Sequence, residues 1–267
     1  MLVNLKILFS NMSQKSFFDQ IGRESTPVFA QKLFEEGKTR IDFHWHERPQ
    51  FIYSDNGAVE VITKEKRWLV PPSQGVWIPA QIDHAISAHK SLKISVLYPD
   101  QQRVEKLPDC CQVYVVSPLL KELISKIISL ETTEKDDFYR RLEEIICLEL
   151  GTLEPMDLGL QMPQDRRANR LANFVYENPE DNSPLVDLAK NFGASKRTMV
   201  RLFINETGLT FSKWRQRKKI LTAIHLMGAG VSVSEASYSL GYKSPSAFTA
   251  MFRREMGKTP SEFLIKN

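Results

Sequence analysis

One helical unit occurs twice between Pro184 and Phe263, and this duplication limits the C-terminal part of the chain more than any other feature. From Phe203 onward the copies keep an offset of 49 residues: Phe203 answers Phe252, Gly208 answers Gly257, Thr210 answers Thr259 and Trp214 answers Phe263. Ahead of that, Gly193 answers Gly241 at an offset of 48, so the second copy has one extra residue in its turn. A repeat must be read before anything else, because repeated units bury their apolar faces against one another.

Each copy reads as helix, tight turn, helix. In the first, Leu185, Val186, Leu188, Ala189 and Phe192 form an apolar stripe at helical spacing. Gly193 suits the left-handed turn that ends the helix. Ser195 caps a second helix, whose buried stripe is Met199, Leu202 and Phe203. In the second copy Val233, Ala236, Ser237 and Leu240 precede the Gly241 turn. Ser244 caps, Pro245 takes the first helical position, and Phe248, Met251 and Phe252 face inward. Between the copies, Thr210 to Met227 reads as one amphipathic connector. Its apolar residues pack on both units, and Arg215, Arg217, Lys218 and Lys219 form a charged face. A connector of this length spans roughly 27 Å. It would hold the two second helices about one DNA turn, near 34 Å, apart.

Helical hairpins need not touch nucleic acid, but the charge distribution favours it. Residues 166–267 hold 17 Lys/Arg against 8 Asp/Glu, a balance of +9, whereas residues 1–165 hold 19 against 24. The basic excess lies wholly on the repeat-bearing part, as neutralisation of phosphates requires.

Leu188, Ala189, Gly193, Ser195, Arg201, Phe203 and Gly208, with Gly241, Tyr242, Ser244, Phe248, Phe252, Arg253 and Gly257 to Pro260, resemble the pattern of the AraC/XylS family of transcription regulators. The resemblance covers about a hundred C-terminal residues. It departs at Ser237, where the family has alanine; a serine fits if its hydroxyl bonds back to the helix. The family pattern implies that Lys196, Arg197, Val200 and Arg201 face DNA from the first recognition helix, and Ser246, Thr249, Ala250 and Arg253 from the second. Guanidinium forks match guanine edges. The first helix is therefore expected to specify sequence, and the second, with shorter side chains, to position.

Upstream, from Val28 to about Val116, eight short alternating segments are punctuated by Gly37, Asn56-Gly57, Pro71-Pro72 and Asp83. Such a series argues for a β-barrel or jelly roll, with Asn56-Gly57 as a hairpin turn. Gly37, His44, His46, Gln50 and Gly57, then Pro79 and His84, resemble the two cupin motifs, with Gln50 in place of glutamate and Gln81 in place of glycine. Three imidazoles and an amide oxygen make a first shell suited to Zn, Fe or Ni. A polar pocket for a small organic effector, or histidines satisfied by the protein itself, accounts for the same residues. Trp45, Phe51, Tyr53, Trp68 and Trp77 are expected to form core or wall. His89 and His225 carry no signal.

The expected organisation is a two-domain α+β chain. A cupin-like effector domain (1–116) is followed by a helical pair (117–153) that closes the barrel mouth and pairs two subunits. A linker (154–165) leads to an all-α DNA-binding domain (166–267) with two helix-turn-helix units. Glu131 to Asp137 reads as the loop of the helical pair. Residues 1–12 only weakly resemble a signal peptide, and no segment approaches the roughly 20 apolar residues of a membrane span. Three cysteines, two of them adjacent, form no disulfide framework and suit a reducing cytoplasm. The function that follows is effector-modulated binding to a double-stranded operator by a homodimer without enzymatic activity, with RNA polymerase as a further partner. A metal-dependent cupin enzyme carrying a nucleic-acid-binding domain is the alternative, although Gln50 cannot serve as a general base. A structural nucleoid protein is a third reading.

Overall fold

In a computed structural model describing residues 2–4, 28–88, 91–104, 106–130 and 137–265, the chain divides into two units. The first comprises residues 1–63 and 68–158, the second residues 64–67 and 159–267.

All eight alternating segments form strands: β2 (Val28–Glu35), β3 (Thr39–His44), β4 (Gln50–Asn56), β5 (Val59–Ile62), β6 (Lys66–Val70), β7 (Gln74–Ile78), β8 (His84–Ala88) and β9 (Leu92–Pro99). With β1 (Leu2–Asn4), β10 (Gln112–Val115) and β11 (Glu154–Met156) they build two sheets in the first unit. One runs β1-β2-β9-β4-β7-β10-β11 and the other β6-β5-β8-β3. Of the two expected forms, barrel or jelly roll, the strands take the second: an open jelly-roll-like sandwich in which no described strand is shared between the sheets. Asn56-Gly57 is a turn, with Gly57 at φ +80°, but not a hairpin. It carries the chain from β4 in one sheet to β5 in the other. Turn chemistry specifies the local dihedrals, not the sheet that receives the next strand.

Alternation sorts the side chains of β4 and β9. Phe51, Tyr53 and Leu97 face outward and form a core with Val28, Trp77 and Tyr114 beneath the helices Pro118–Ser129 and Asp137–Leu150. Gln50 and Tyr98 face the other sheet. The helical pair therefore covers the outer face of the larger sheet rather than a barrel mouth. Leu120, Ile124 and Ile127 of the first helix, and Leu142, Ile146 and Leu150 of the second, are buried there. Leu119, Phe138, Ile145 and Leu148 of the same helices stay exposed. Trp45 is also exposed, at 53%, although it was expected in the wall. A register shift between Ile41 and His44 breaks the alternation just ahead of it.

Residues 154–165, expected as a linker, carry β11 and, in the second unit, β12 (Gly159–Gln161). Of the leader-like residues 1–12 only Leu2–Asn4 are described, paired parallel with β2; the others, residues 131–136 and His89 lie outside the described residues. Among the described residues no helix is long and apolar enough to cross a membrane.

The second unit follows the repeat. After an opening helix (Arg166–Glu177) come a first scaffold helix (Leu185–Asn191), a first recognition helix (Lys196–Thr207), the connector (Phe211–Gly228), a second scaffold helix (Val233–Ser239), a second recognition helix (Pro245–Met256) and a short closing helix (Pro260–Ile265). Ser195, Thr210, Ser232 and Ser244 each accept a backbone N–H of the helix they open. Ser237 is fully buried, and its hydroxyl donates to the Ser234 carbonyl at 2.7 Å, as its position requires.

Candidate functional site

The recognition helices owe their orientation to an aromatic core. Phe203 stacks edge-on against Phe211 and Trp214, and Trp214 donates its indole N–H to the Gln161 carbonyl at 2.7 Å. In the second copy Phe252 packs against Phe248 and Phe263. With Met199 and Phe203 turned inward, the helical period turns Lys196, Arg197 and Arg201 outward, and all three are exposed; Val200 is half-buried beside them. On the second helix Ser246, Ala250 and Arg253 are exposed and Thr249 is half-buried. These four share one open groove with Arg254 and Thr259. Arg254 was not foreseen, because its neighbour Glu255, which accepts its Nε at 3.2 Å, disguises it as one half of a surface ion pair.

The connector's charged residues do not form the charged face that their spacing predicts. Lys218 and Lys219 are buried, not presented to solvent. Lys218 sits 3.3 Å from the centre of the Tyr176 ring. Arg217 donates to the Gly159 carbonyl at 2.9 Å and Arg215 to the Ser183 carbonyl at 2.7 Å. Four charges that read locally as a solvated face staple the helical unit together.

In the sandwich, His44 lies opposite His84 on adjacent strands, and His46 follows the end of β3. The rings converge, with centroids 4.4 Å apart for His44 and His84, 5.2 Å for His46 and His84, and 6.0 Å for His44 and His46. One ring nitrogen from each lies within 4.8 Å of the other two. Each Nδ1 faces a backbone carbonyl: Asp42 for His44 and Ile82 for His84, both at 2.8 Å, and Arg48 for His46. A carbonyl only accepts, so each Nδ1 carries the proton and each Nε2 keeps its lone pair. That is the tautomer a metal-binding imidazole adopts, with the outer nitrogen oriented by a carbonyl.

Burial reinforces this. It pushes His46 down to about 4, and pushes His84 well below its ordinary range, where the neighbouring imidazoles add to the effect. Burial also lowers His44. Three neutral imidazoles at neutral pH result. His84 Nε2 is buried and has no hydrogen-bond partner among the described residues. In a tetrahedral zinc site with bonds of about 2.1 Å the nitrogens stand roughly 3.4 Å apart, so the three, which lie within 4.8 Å of one another, would have to draw closer to share an ion. Gln50, 2% exposed, donates its amide N–H to the Tyr98 hydroxyl at 2.8 Å, and its side chain also reaches His46. Tyr98 is buried, its phenol held above its ordinary range by burial, and its ring meets His46 edge-on at 5.4 Å. Sequence reasoning missed Tyr98, since only the β4–β9 register brings it beside Gln50. Gln81 takes the left-handed conformation (φ +62°) at a position where the cupin pattern has glycine, and its N–H donates to the His46 carbonyl at 3.0 Å.

A β-sandwich carrying an internal polar cluster, on one chain with two outward-facing recognition helices, defines a ligand-binding regulator of the helix-turn-helix class. Residues 30–150 match the AraC-like ligand binding domain, and residues 188–265 match a helix-turn-helix domain. Over 224 residues the chain is 29% identical to the HTH-type transcriptional regulator NimR of Escherichia coli, covering 84% of this chain and 82% of that one. It is 27% identical to the virulence regulon transcriptional activator VirF of Yersinia enterocolitica, covering 79% and 78% of the two chains. Among solved structures, ToxT from Vibrio cholerae aligns with a TM-score of 0.38 at 13% identity, covering 90% of this chain and 97% of that one. The chain belongs to the AraC family: it is a DNA-binding transcription regulator with a ligand-binding domain.

Proposed function

We propose that this regulator reads a double-stranded operator with both recognition helices, and that its effector is a divalent late transition-metal ion held by His44, His46 and His84. The convergence of three neutral imidazoles, each oriented through Nδ1, carries the metal reading. Nitrogen ligands suit Zn, Fe(II) or Ni, and with Gln50 in the place of a carboxylate the site keeps a net neutral donor set. When bound, the ion supplies a charge that draws strands β3 and β8 and the segment after β3 together. Lys196, Arg197, Val200 and Arg201 meet one major-groove segment; Ser246, Thr249, Ala250 and Arg253 meet the next.

Two copies pair through the helices Pro118–Ser129 and Asp137–Leu150. Phe138, Ile145 and Leu148 are exposed there, and the first two repeat at the seven-residue spacing of a helix seam. The protein works in the cytoplasm as a binding protein, with RNA polymerase as a partner at its promoters, and turns nothing over. Isothermal titration of the intact chain with Zn(II), Ni(II) and Co(II), followed by operator titrations of the metal-free and loaded forms, tests the reading. One ion per chain and a shifted operator affinity support it. No binding, with a small organic molecule shifting operator affinity instead, would return the cluster to a polar effector pocket. Oxygen uptake by the iron-loaded protein on a small substrate would favour the enzyme.

A further inference from the structure

Three parts of the helical unit meet at a single ammonium group. Lys219, 5% exposed in the middle of the connector, donates to Asn182 Oδ1 at 2.7 Å and to the Leu240 carbonyl at 2.8 Å. Asn182 belongs to the segment that leads into the first scaffold helix. Leu240 caps the second scaffold helix, immediately before the turn into the second recognition helix. The junction is closed on its far side, where Asn182 Nδ2 donates to the Gly241 carbonyl at 3.1 Å. Gly241 stands at φ +74°, and a Cβ there would lie 2.6 Å from the Glu180 carbonyl oxygen, so only glycine lets the two segments come this close. Beyond it, the Tyr242 ring lies 5.3 Å from Lys219 Nζ and packs against Phe248 of the second recognition helix at 5.4 Å.

The apolar contacts of the connector are non-directional and tolerate small slides of one helix on another. A buried cation bonded to acceptors on two other segments does not. Fixing register is the best-attested use of a buried polar group in a helical core. We propose that Lys219 is a positioning residue that sets the spacing and rotational phase of the two recognition helices, and thereby the operator spacing the protein accepts. This rests on the reading that both helices engage DNA.

The test uses the intact chain and a duplex selected by it from random DNA, together with two derivatives in which one base pair is inserted or removed between the protected segments. The wild type should lose about tenfold or more in affinity on each derivative. Lys219→Met should bind the parent duplex more weakly and hold all three within about threefold, with an unchanged salt dependence, because Lys219 touches no phosphate. Asn182→Ala removes one acceptor and should relax the preference part of the way; it decides the matter if Lys219→Met does not fold. General destabilisation would weaken all three duplexes equally and preserve their ratio. A preserved ratio in the variants that fold, or a salt slope reduced by about one phosphate contact in Lys219→Met, overturns the assignment. If the wild type itself ignores spacing, the two-segment reading has failed, and the clamp falls with it.

Discussion

His44 and His84 stand directly opposite one another on antiparallel strands β3 and β8, their ring centroids 4.4 Å apart, with His46 completing the cluster from beyond the strand end. Three imidazoles held this close, each with its outer nitrogen tied to a carbonyl, turn their remaining nitrogens toward one another, and on the proposed reading these are the metal donors.

Removing one donor should therefore be severe. His84→Ala is expected to weaken Zn(II) binding by at least about a hundredfold, a loss larger than that typical of an outer-shell partner. Gln50→Glu should tighten binding by about tenfold, since it adds a negative charge while Tyr98 can donate its phenolic proton to the new carboxylate. Equilibrium dialysis reads both. Unchanged affinity in His84→Ala would remove the histidine cluster from the metal reading.

The two recognition helices should contribute unequally. Arg197→Ala is expected to cost about 1–3 kcal/mol at the operator and to relax base preference there. Thr249→Ala, with a shorter and half-buried side chain, should cost less. Fluorescence titrations against the selected duplex give the ranking, and the reverse order would overturn the division between specifying and positioning.

Acid should loosen the start of the second unit. Asp165 caps the opening helix by accepting the Arg167 N–H at 2.9 Å and also pairs with the Arg167 guanidinium at 3.0 Å. The Arg167 side chain, followed by the backbone N–H groups of Arg167 and Ala168, holds its carboxyl at about 2 against an ordinary 3.8. The folded value is depressed, so its stabilisation is complete above about pH 4 and is lost as pH falls through 2. Urea melts of wild type and Asp165→Asn should differ at pH 6 and converge toward pH 2. A difference independent of pH would show that the cap does not act through its charge.

The exposed helical seam should hold two copies together. Leu148, in the helix Asp137–Leu150, presents 70% of its apolar surface to solvent. Leu148→Glu is expected to shift sedimentation from dimer to monomer with no loss of melting temperature at high dilution. A wild type that sediments as a monomer at micromolar concentration would remove this interface.

Much of the helical unit was legible because its signals are local. Left-handed glycines, Ser and Thr caps and 3.6-residue stripes all act within a few residues, and Gly193, Ser195, Gly241 and Ser244 sit where those rules put them. The eight strands were legible for the same reason, and so was the set of histidines. What escaped depends on distant pairing. Tyr98 joins Gln50 only through the β4–β9 register. The Asn56-Gly57 turn is local, but its crossing between sheets is not. Lys218 and Lys219 read as a solvated face because the Tyr176 ring, Asn182 and the Leu240 carbonyl that receive them lie 21 or more residues away.

Hydroxyl-radical footprinting of the intact chain on its selected duplex tests the central claim most directly. Two protected segments on one face of the duplex, about one helical turn (near 34 Å) apart, are predicted, with Arg197→Ala erasing one and Arg253→Ala weakening the other. A single protected segment, or uniform protection of any sequence, would contradict the account.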